Sequence, residues 1–550
     1  MRSQRLALIT YSLALLVGVQ IACSSDVATS GGTGGGSGGK SSSGGSTTSN
    51  GGGAGSGGVS SEGGSSSSGG VSSAGGSSTG GSSTHPSGNG GTAGSGTGGS
   101  SVGKDAGAGG APASGGVGAG GASFVGGSSG TKDGGPRDVG PSGSGGSGLG
   151  GSGPAIDGGG APPAATAEDD GADCTVGTVP GLGTANAKLP DPFTKIDGTK
   201  VATKADWRCR REEIKQTAQK IALGTKPPKP ATVTGTVTSS KITVNVTDGG
   251  KSSTFSVTVT PPKSGKAPYP AIIFYTAAPI DQATLDSEGI ASINYNPYDV
   301  GAEGGGHSAN QKGAFYSIYS GGSGSSGLLV AWAWGVSRII DVIEQSDGTI
   351  LKADAIGVTG CSRFGKGSFM AGVMDQRVAL TMPIESGTDG VPIWRGIAKN
   401  EKGENGNGPQ SLSSAYSEQP WYADASNGFT SDPTKTPVDT HELVAMIAPR
   451  GLFIMENPHI GELASKYGHV AALGGAEVYK ALGAGGNISY NSAVQSGTHC
   501  SARPEWTTPQ KNNIEWFLKK TGTPAGVITA ASTQTGDLST WRDWTTPTLN

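Results

Sequence analysis

Charge of one sign is what this 550-residue chain lacks: 39 Lys and Arg stand against 42 Asp and Glu, a formal net charge of −3. Without a basic stripe there is no footprint for a phosphate backbone, so nucleic acid is excluded as the expected partner. Long apolar runs are missing as well. The run Leu6 to Val19 falls short of the ~20 residues that a bilayer span needs, and no other stretch reaches that length. The five cysteines show no C-x-x-C spacing and the histidines no ligand spacing, which removes the usual frameworks for a metal. No period of 20 to 50 residues recurs, so a solenoid is excluded.

Aromatic side chains are almost absent from about Ser24 to about Ala165, where Gly, Ser, Ala and Thr make up nearly everything. Such a segment has too little apolar surface to offset its conformational entropy, and residues 24–168 are expected to form a disordered linker. As a flexible coil of about 140 residues it would reach roughly 60–70 Å. Ahead of it, Arg2 and Arg5 precede the apolar run and then Gln20-Ile21-Ala22-Cys23, the pattern of an export signal over residues 1–23. Cys23 after the small Ala22 resembles a lipoprotein cleavage site, in which the cysteine is lipidated, although Gln20 stands where a leucine-like residue is usual. The expected location is therefore a cell surface lipoprotein or a secreted protein, touching a membrane through that lipid anchor alone. In an exporting compartment Cys174, Cys209, Cys361 and Cys500 are expected to form disulfides, with three pairings open.

Residues 169–550 are left for a single domain, folded from near Ala172 to about Thr521. Alternation in "ATVTGTVTSSKITVNVTDGGKSSTFSVTVTPP" predicts three antiparallel strands with a Gly-Gly turn. The rhythm then changes. "PAIIFYT", "AIGVTG", "ALTMPIE", "GLFIMEN" and "ISYNSA" read as strands, with "GLLVAWAWGVSRIIDVIEQ" and "GSFMAGVMDQRV" as helices between them. The fold class is α/β, a three-layer sandwich with a mainly parallel sheet and antiparallel N-terminal strands, whose chemistry belongs at the carboxyl ends of the strands. Residues 398–436 show no period and are long for an idle loop, which points to a functional insertion. "NNIEWFLKKTG" is read as a closing helix, with the Thr-rich tail lying over the surface.

The stretch "IGVTGCSRFGKGSFMAG" admits two readings. A P-loop requires a hydroxyl after Lys366, where Gly367 stands, and an exported chain meets little nucleotide. A strand-to-helix turn that exposes a nucleophilic serine requires a base and an acid later in the chain. Both are present: Glu385 ends the strand after the Ser362 helix, and His499 follows the last strand in "SGTHCS". Each alone has an ordinary explanation, a helix cap, a loop acceptor or a structural ring; the order Ser, acid, His, each just beyond a strand, makes them a triad. Among the other histidines, His307 lies in a glycine-rich loop that could border the pocket, His441 opens a helix and reads as structural, and His459 and His469 lie close enough to line the site; His85 falls in the linker.

At these residues the chain resembles a known family. "GCSRFGKG", "PIESG", "APRGLFIMEN" and "THC" are similar to the glucuronoyl esterases of carbohydrate esterase family 15, a serine esterase family with an α/β-hydrolase fold, over the region from Cys174 to the closing helix. The resemblance implies Ser362 as nucleophile, His499 as base, Glu385 as the acid that orients it and Arg363 as a stabiliser of the oxyanion. It also implies that Lys366, Gln410 and Glu418 bind hydroxyls of a glucuronate ring, and that Cys361 bridges Cys500; Cys174 and Cys209 are then left to pair. Two departures stand out. Glu462 occupies the place where many members carry an aromatic residue, and Glu456 is a rival acid at the position that α/β-hydrolases more generally use. The implied substrates are glucuronoxylan and lignin-carbohydrate esters, with no cofactor and no metal, and the expected assembly is a monomer. The alternatives are another uronate or acetyl-xylan esterase, or a surface carbohydrate-binding protein without catalysis.

Overall fold

The computed structural model describes residues 167–276, 278–307 and 311–550. The export signal, Cys23, His85 and the linker up to residue 166 lie outside them. Ten strands are described: β1 (Thr232–Val237), β2 (Lys241–Asp248), β3 (Lys251–Thr260), β4 (Tyr269–Tyr275), β5 (Ala291–Tyr295), β6 (Leu351–Cys361), β7 (Leu380–Ile384), β8 (Gly451–Met455), β9 (Ile488–Asn491) and β10 (Ile528–Thr529). They join in one sheet in the order β1-β2-β3-β5-β4-β6-β7-β8-β9-β10. The expected meander pairs antiparallel through β1, β2 and β3. Its turn falls on Gly249 and Gly250, whose φ of 52° and 76° lie in the left-handed region that a two-residue hairpin loop demands. β5, "ASINY", alternates apolar and polar residues throughout but escaped the sequence reading because it is only five residues long. It pairs antiparallel with β3 and parallel with β4, and so welds the meander to the parallel part. From β5 to β10 every pairing is parallel.

Successive residues of the central strands feed opposite layers. Ala271, Ile273 and Tyr275 of β4 enter one core, together with Leu329, Trp332 and Ile339 of the helix Leu328–Gln345 and Phe369 of the helix Arg363–Met374. Ile272 and Phe274 enter the other, against Trp506, Ile514 and Phe517 of the helix Pro504–Phe517. Burying a large apolar side chain is worth ~1.5–3 kcal/mol, so a sheet apolar on both faces must be covered on both. This is the three-layer sandwich of an α/β-hydrolase.

The structure moves several boundaries. The closing helix is Pro504–Phe517, not the segment from Asn512 to Gly522: Pro504 is pre-set for a first helical turn, and the polar "TTPQK" hides the apolar period. The tail does more than lie over the surface. It supplies β10, and Leu538, Trp544 and Leu549 are buried, with Trp544 edge-on to Phe193 at 5.8 Å. Its apolar residues are too widely spaced to form a period. Within 398–436 the helix Leu412–Glu418 forms, started by Ser411, whose Oγ accepts the N–H of Ser414 at 3.1 Å. Glu168, the last residue assigned to the linker, is clasped by Lys226 and Arg338. Cys174 and Cys209 form a disulfide with Cα atoms 5.4 Å apart, tying this entry segment to the helix Lys204–Ala218. No helix among the described residues is long and apolar enough to cross a membrane.

Candidate active site

β6 ends at Cys361 and a helix begins at Arg363, so the reversal falls on Ser362 alone. Its φ of 61° and ψ of −128° are conformations that side chains disfavour, and they persist only where the surroundings enforce them. Here they are enforced. The Ser362 N–H donates to Ile384 O at 2.9 Å, and its carbonyl accepts Lys366 N–H at 3.0 Å. Gly365, three places after the serine, is required by packing: a Cβ there would lie 2.4 Å from Ile384 O, so glycine is what allows the helix to touch the end of β7.

Glu385 follows β7 directly and is fully buried, its N–H donating to Met455 O at 2.7 Å. Its Oε2 lies 2.5 Å from His499 Nδ1 and accepts the N–H of Cys500 at 2.7 Å; its Oε1 accepts from Asn457 Nδ2 at 3.2 Å and from Arg503 Nη2 at 3.3 Å. A ring nitrogen held this way donates to the carboxylate and leaves Nε2 as an acceptor. The His499 side chain is 40% exposed while that of Glu385 is dry, so the ring faces the solvent side and the acid lies behind it. Cys361 and Cys500 are bridged, with Cα atoms 5.8 Å apart, which ties the residue before Ser362 to the residue after His499.

Glu456, at the end of β8, does not reach the histidine. Its Oε1 accepts from Ser386 Oγ at 3.3 Å and its Oε2 has no hydrogen-bond partner among the described residues. Burial, and then the charge of Glu385, push its pKa up to about 8. The geometry thus pairs His499 with Glu385 and keeps Glu456 as a buried acid behind it.

Beside the turn lies a cluster around Trp421. The half-buried Arg363 donates to Glu303 Oε2 at 2.8 Å and to Glu418 Oε1 at 3.2 Å, with its guanidinium 5.6 Å from the Trp421 ring. Lys366 is buried and donates to Ser386 O at 2.6 Å, its Nζ 4.8 Å from the same ring. Burial pulls its pKa down to about 8 against the opposing charges of Asp389 and Glu418, and burial likewise raises Asp389 to about 7. Gln410 Nε2 donates to Glu418 Oε2 at 2.7 Å, and Gln410 O accepts from Thr388 Oγ1 at 2.6 Å. Lys366, Gln410 and Glu418 therefore share one polar wall. Trp421, Glu303 and Asp389 complete it and escaped the sequence reading; the signals were "QPWYADA" in the functional insertion, the glycine-rich loop noted for His307, and an acid inside "ESGTDG".

The remaining candidates are more peripheral. Glu462 is exposed, its carboxylate accepting from Asn405 Nδ2 at 3.1 Å and Asn407 Nδ2 at 2.6 Å, while its carbonyl accepts Gln410 N–H at 3.2 Å. His307 pairs with Asp424 at 2.8 Å and stacks on Tyr416. His459 lies 2.5 Å from Glu404, and His441 is buried against Pro190 O, where desolvation lowers its pKa to about 4. His469 does not line the site: it accepts the N–H of Gly536 at 3.0 Å, under the C-terminal tail. Cys361, Glu385, His499 and Cys500 place ligand-type atoms within 4.8 Å of one another, but both sulfurs are spent in the disulfide and the other two groups bond each other. That donor set suits a triad rather than a metal ion.

A family model described as glucuronyl esterase of fungi matches residues 244–483. The 4-O-methyl-glucuronoyl methylesterase of Podospora anserina is 39% identical over 383 residues, covering 68% of this chain and 77% of that protein. The protein of the same name from Neurospora crassa is 38% identical over 367 residues, 66% of this chain and 90% of the relative. Among solved structures, the glucuronoyl esterase catalytic domain from Hypocrea jecorina matches with a TM-score of 0.62 at 35% identity, over 68% of this chain and 100% of that chain. A serine-to-alanine variant from Sporotrichum thermophile, in complex with methyl 4-O-methyl-β-D-glucopyranuronate, matches with a TM-score of 0.62 at 34% identity over the same shares. With relatives this similar spanning the described domain, the chain belongs to the glucuronoyl esterases, carbohydrate esterase family 15.

Proposed function

We propose that this chain hydrolyses esters between 4-O-methyl-glucuronic acid of glucuronoxylan and lignin alcohols, through an acyl-enzyme on Ser362. The observation that carries the reading is the 2.5 Å pair between Glu385 and His499, tied by the Cys361–Cys500 bridge to the turn that presents Ser362. His499 Nε2 takes the proton of Ser362 Oγ as that oxygen attacks the ester carbonyl, and returns it to the departing alcohol. Water then attacks the acyl group with the same histidine as base, freeing the uronic acid and restoring the serine. Glu385 stays ionised throughout and stabilises the imidazolium.

The oxyanion forms at the start of the helix Arg363–Met374, where the first N–H groups have no intrahelical acceptor and the Arg363 guanidinium is held in place by Glu303 and Glu418. Lys366, Gln410 and Glu418 hydrogen-bond the hydroxyls of the acid half, and Glu462 stands at the edge of that wall through its contact with Gln410. The Sporotrichum thermophile relative's complex with a methyl ester of 4-O-methyl-glucuronate supports this choice of acid. The assembly in this reading is a monomer. The export signal and Cys23 support an exported enzyme held at the cell surface by lipid, with the linker giving it reach over an insoluble polymer.

The test is a comparison of benzyl glucuronate, methyl galacturonate and acetylated xylan with the purified protein. Turnover of the first well above the others is expected. Preference for either of the others would replace the substrate, and inactivity on all three with tight xylan binding would replace the enzyme by a binding protein.

A further inference from the structure

Glu456 is fully buried beside the triad, yet the proposed hydrolysis gives it no step. Its surroundings show what it holds. Glu456 Oε1 accepts from Ser386 Oγ at 3.3 Å, Ser386 Oγ accepts Val391 N–H at 3.0 Å, and Ser386 O accepts Lys366 Nζ at 2.6 Å. Ser386 directly follows Glu385, so one residue links the triad acid, Glu456 and Lys366. The turn it opens is under strain, with φ of 47° at Glu385 and 65° at Asp389, conformations that persist only when neighbours impose them. The Glu456 backbone is itself fixed by its N–H to Asn491 O at 3.0 Å.

We propose that Glu456 is a positioning residue: through the Ser386 hydroxyl it fixes the turn whose carbonyl aims Lys366 at the uronate ring. The role rests on the reading that Lys366 binds sugar hydroxyls. A carboxyl is suited to it because it is polar enough to orient the hydroxyl while staying uncharged. The titratable groups facing it are Glu385 at the end of β7, Lys366 on the helix and Tyr490 on β9. Burial and the Glu385 charge keep it protonated near neutrality, so Glu385 remains the single negative charge opposite His499.

The test is steady-state kinetics on benzyl glucuronate with Glu456→Gln, Glu456→Ala and Ser386→Ala in the full chain. Glu456→Ala and Ser386→Ala are expected to raise KM by roughly 5- to 50-fold with kcat within about threefold, the split of a lost binding contact, and Glu456→Gln to restore KM to within about twofold. Should Glu456→Ala unfold, Ser386→Ala and Glu456→Gln still decide. A wild-type KM in Ser386→Ala overturns the role, and so does a kcat in Glu456→Gln as low as that of Glu385→Gln, which would make Glu456 the triad acid. Lys366→Ala separates this role from the reading beneath it: a wild-type KM there removes the sugar contact and the role with it, while a failure of Ser386→Ala alone leaves the esterase intact.

Discussion

Glu385 Oε2 lies 2.5 Å from His499 Nδ1, and the same oxygen accepts the backbone N–H of Cys500, so the acid grips both the ring and the loop that carries it. Removing the carboxylate therefore loses the tautomer and the loop together. Glu385→Ala is expected to lower kcat by ~10³–10⁴-fold, as loss of the acid does in other triads, whereas Glu456→Ala keeps kcat close to wild type. The reverse ranking would move the acid to Glu456.

In the proposed hydrolysis Ser362→Ala and His499→Ala remove the bond-forming and proton-moving atoms, and each is expected to cost ~10⁴–10⁶-fold in kcat. The fold should be untouched. The backbone of Ser362 is fixed by its N–H to Ile384 and its carbonyl to Lys366, neither of which uses the hydroxyl. Circular dichroism and thermal unfolding should match the wild type; a loss of structure would make the kinetic loss uninformative about chemistry.

The two disulfides are expected to differ in what they protect. Cys361 and Cys500 lie 139 residues apart in sequence, and a bridge of this kind typically adds ~2–4 kcal/mol by restricting the unfolded chain. It also joins the flanks of Ser362 and His499, so Cys361→Ala with Cys500→Ala should lower both Tm and kcat. Breaking Cys174–Cys209, which fastens only the entry segment, should lower Tm and leave kcat alone. Equal kinetic effects from the two would deny the first bridge its catalytic part.

Much of this site could be read from the chain because its chemistry falls where the pattern changes. Ser362 and Glu385 stand directly past β6 and β7, whose ends are legible from runs such as "AIGVTG" and "ALTMPI", while His499 lies eight residues beyond the end of β9. Arg363 and Lys366 come with the serine because they share its helix. Trp421, Glu303 and Asp389 were not legible, since only tertiary folding brings the insertion, a glycine-rich loop and the turn after β7 against one helix end. For the same reason His469, close in sequence to Glu456, turns out to serve the tail. β5 was missed because five residues are too few for its alternation to stand out, and the buried tail because packing, not periodicity, determines it.

The lowered pKa of Lys366 predicts a pH limb in KM. With burial bringing it down to about 8, the ammonium is present below that pH and is lost as the pH rises through it. Asp389 and Glu456, raised to about 7 and about 8, ionise across the same range, so the limb belongs to the cluster rather than to one group. KM for benzyl glucuronate should climb between about pH 7.5 and pH 9.5, and Lys366→Gln should show a high KM that changes less. A wild-type KM that is flat across this interval would show that the lysine charge is not used in binding.

Specificity should follow the sugar rather than the alcohol. Lys366, Gln410 and Glu418 are linked to one another or to the turn by hydrogen bonds of 2.6–2.7 Å, so their free lone pairs and protons point in fixed directions. A wall of this kind rejects an epimer because a misplaced hydroxyl leaves buried groups unpaired, a larger loss than the ~10–200-fold that one methylene provides. Galacturonate esters differ from glucuronate esters at the ring 4-position and should be turned over far more slowly, measured as kcat/KM on the two benzyl esters. Methyl, benzyl and larger alcohols on glucuronate should vary less, because the proposed contacts hold only the acid half. Lys366→Ala should weaken glucuronate esters and narrow the gap between epimers. Equal turnover of the two uronates by the wild type would mean that this wall does not read the ring, whatever the triad does to the ester.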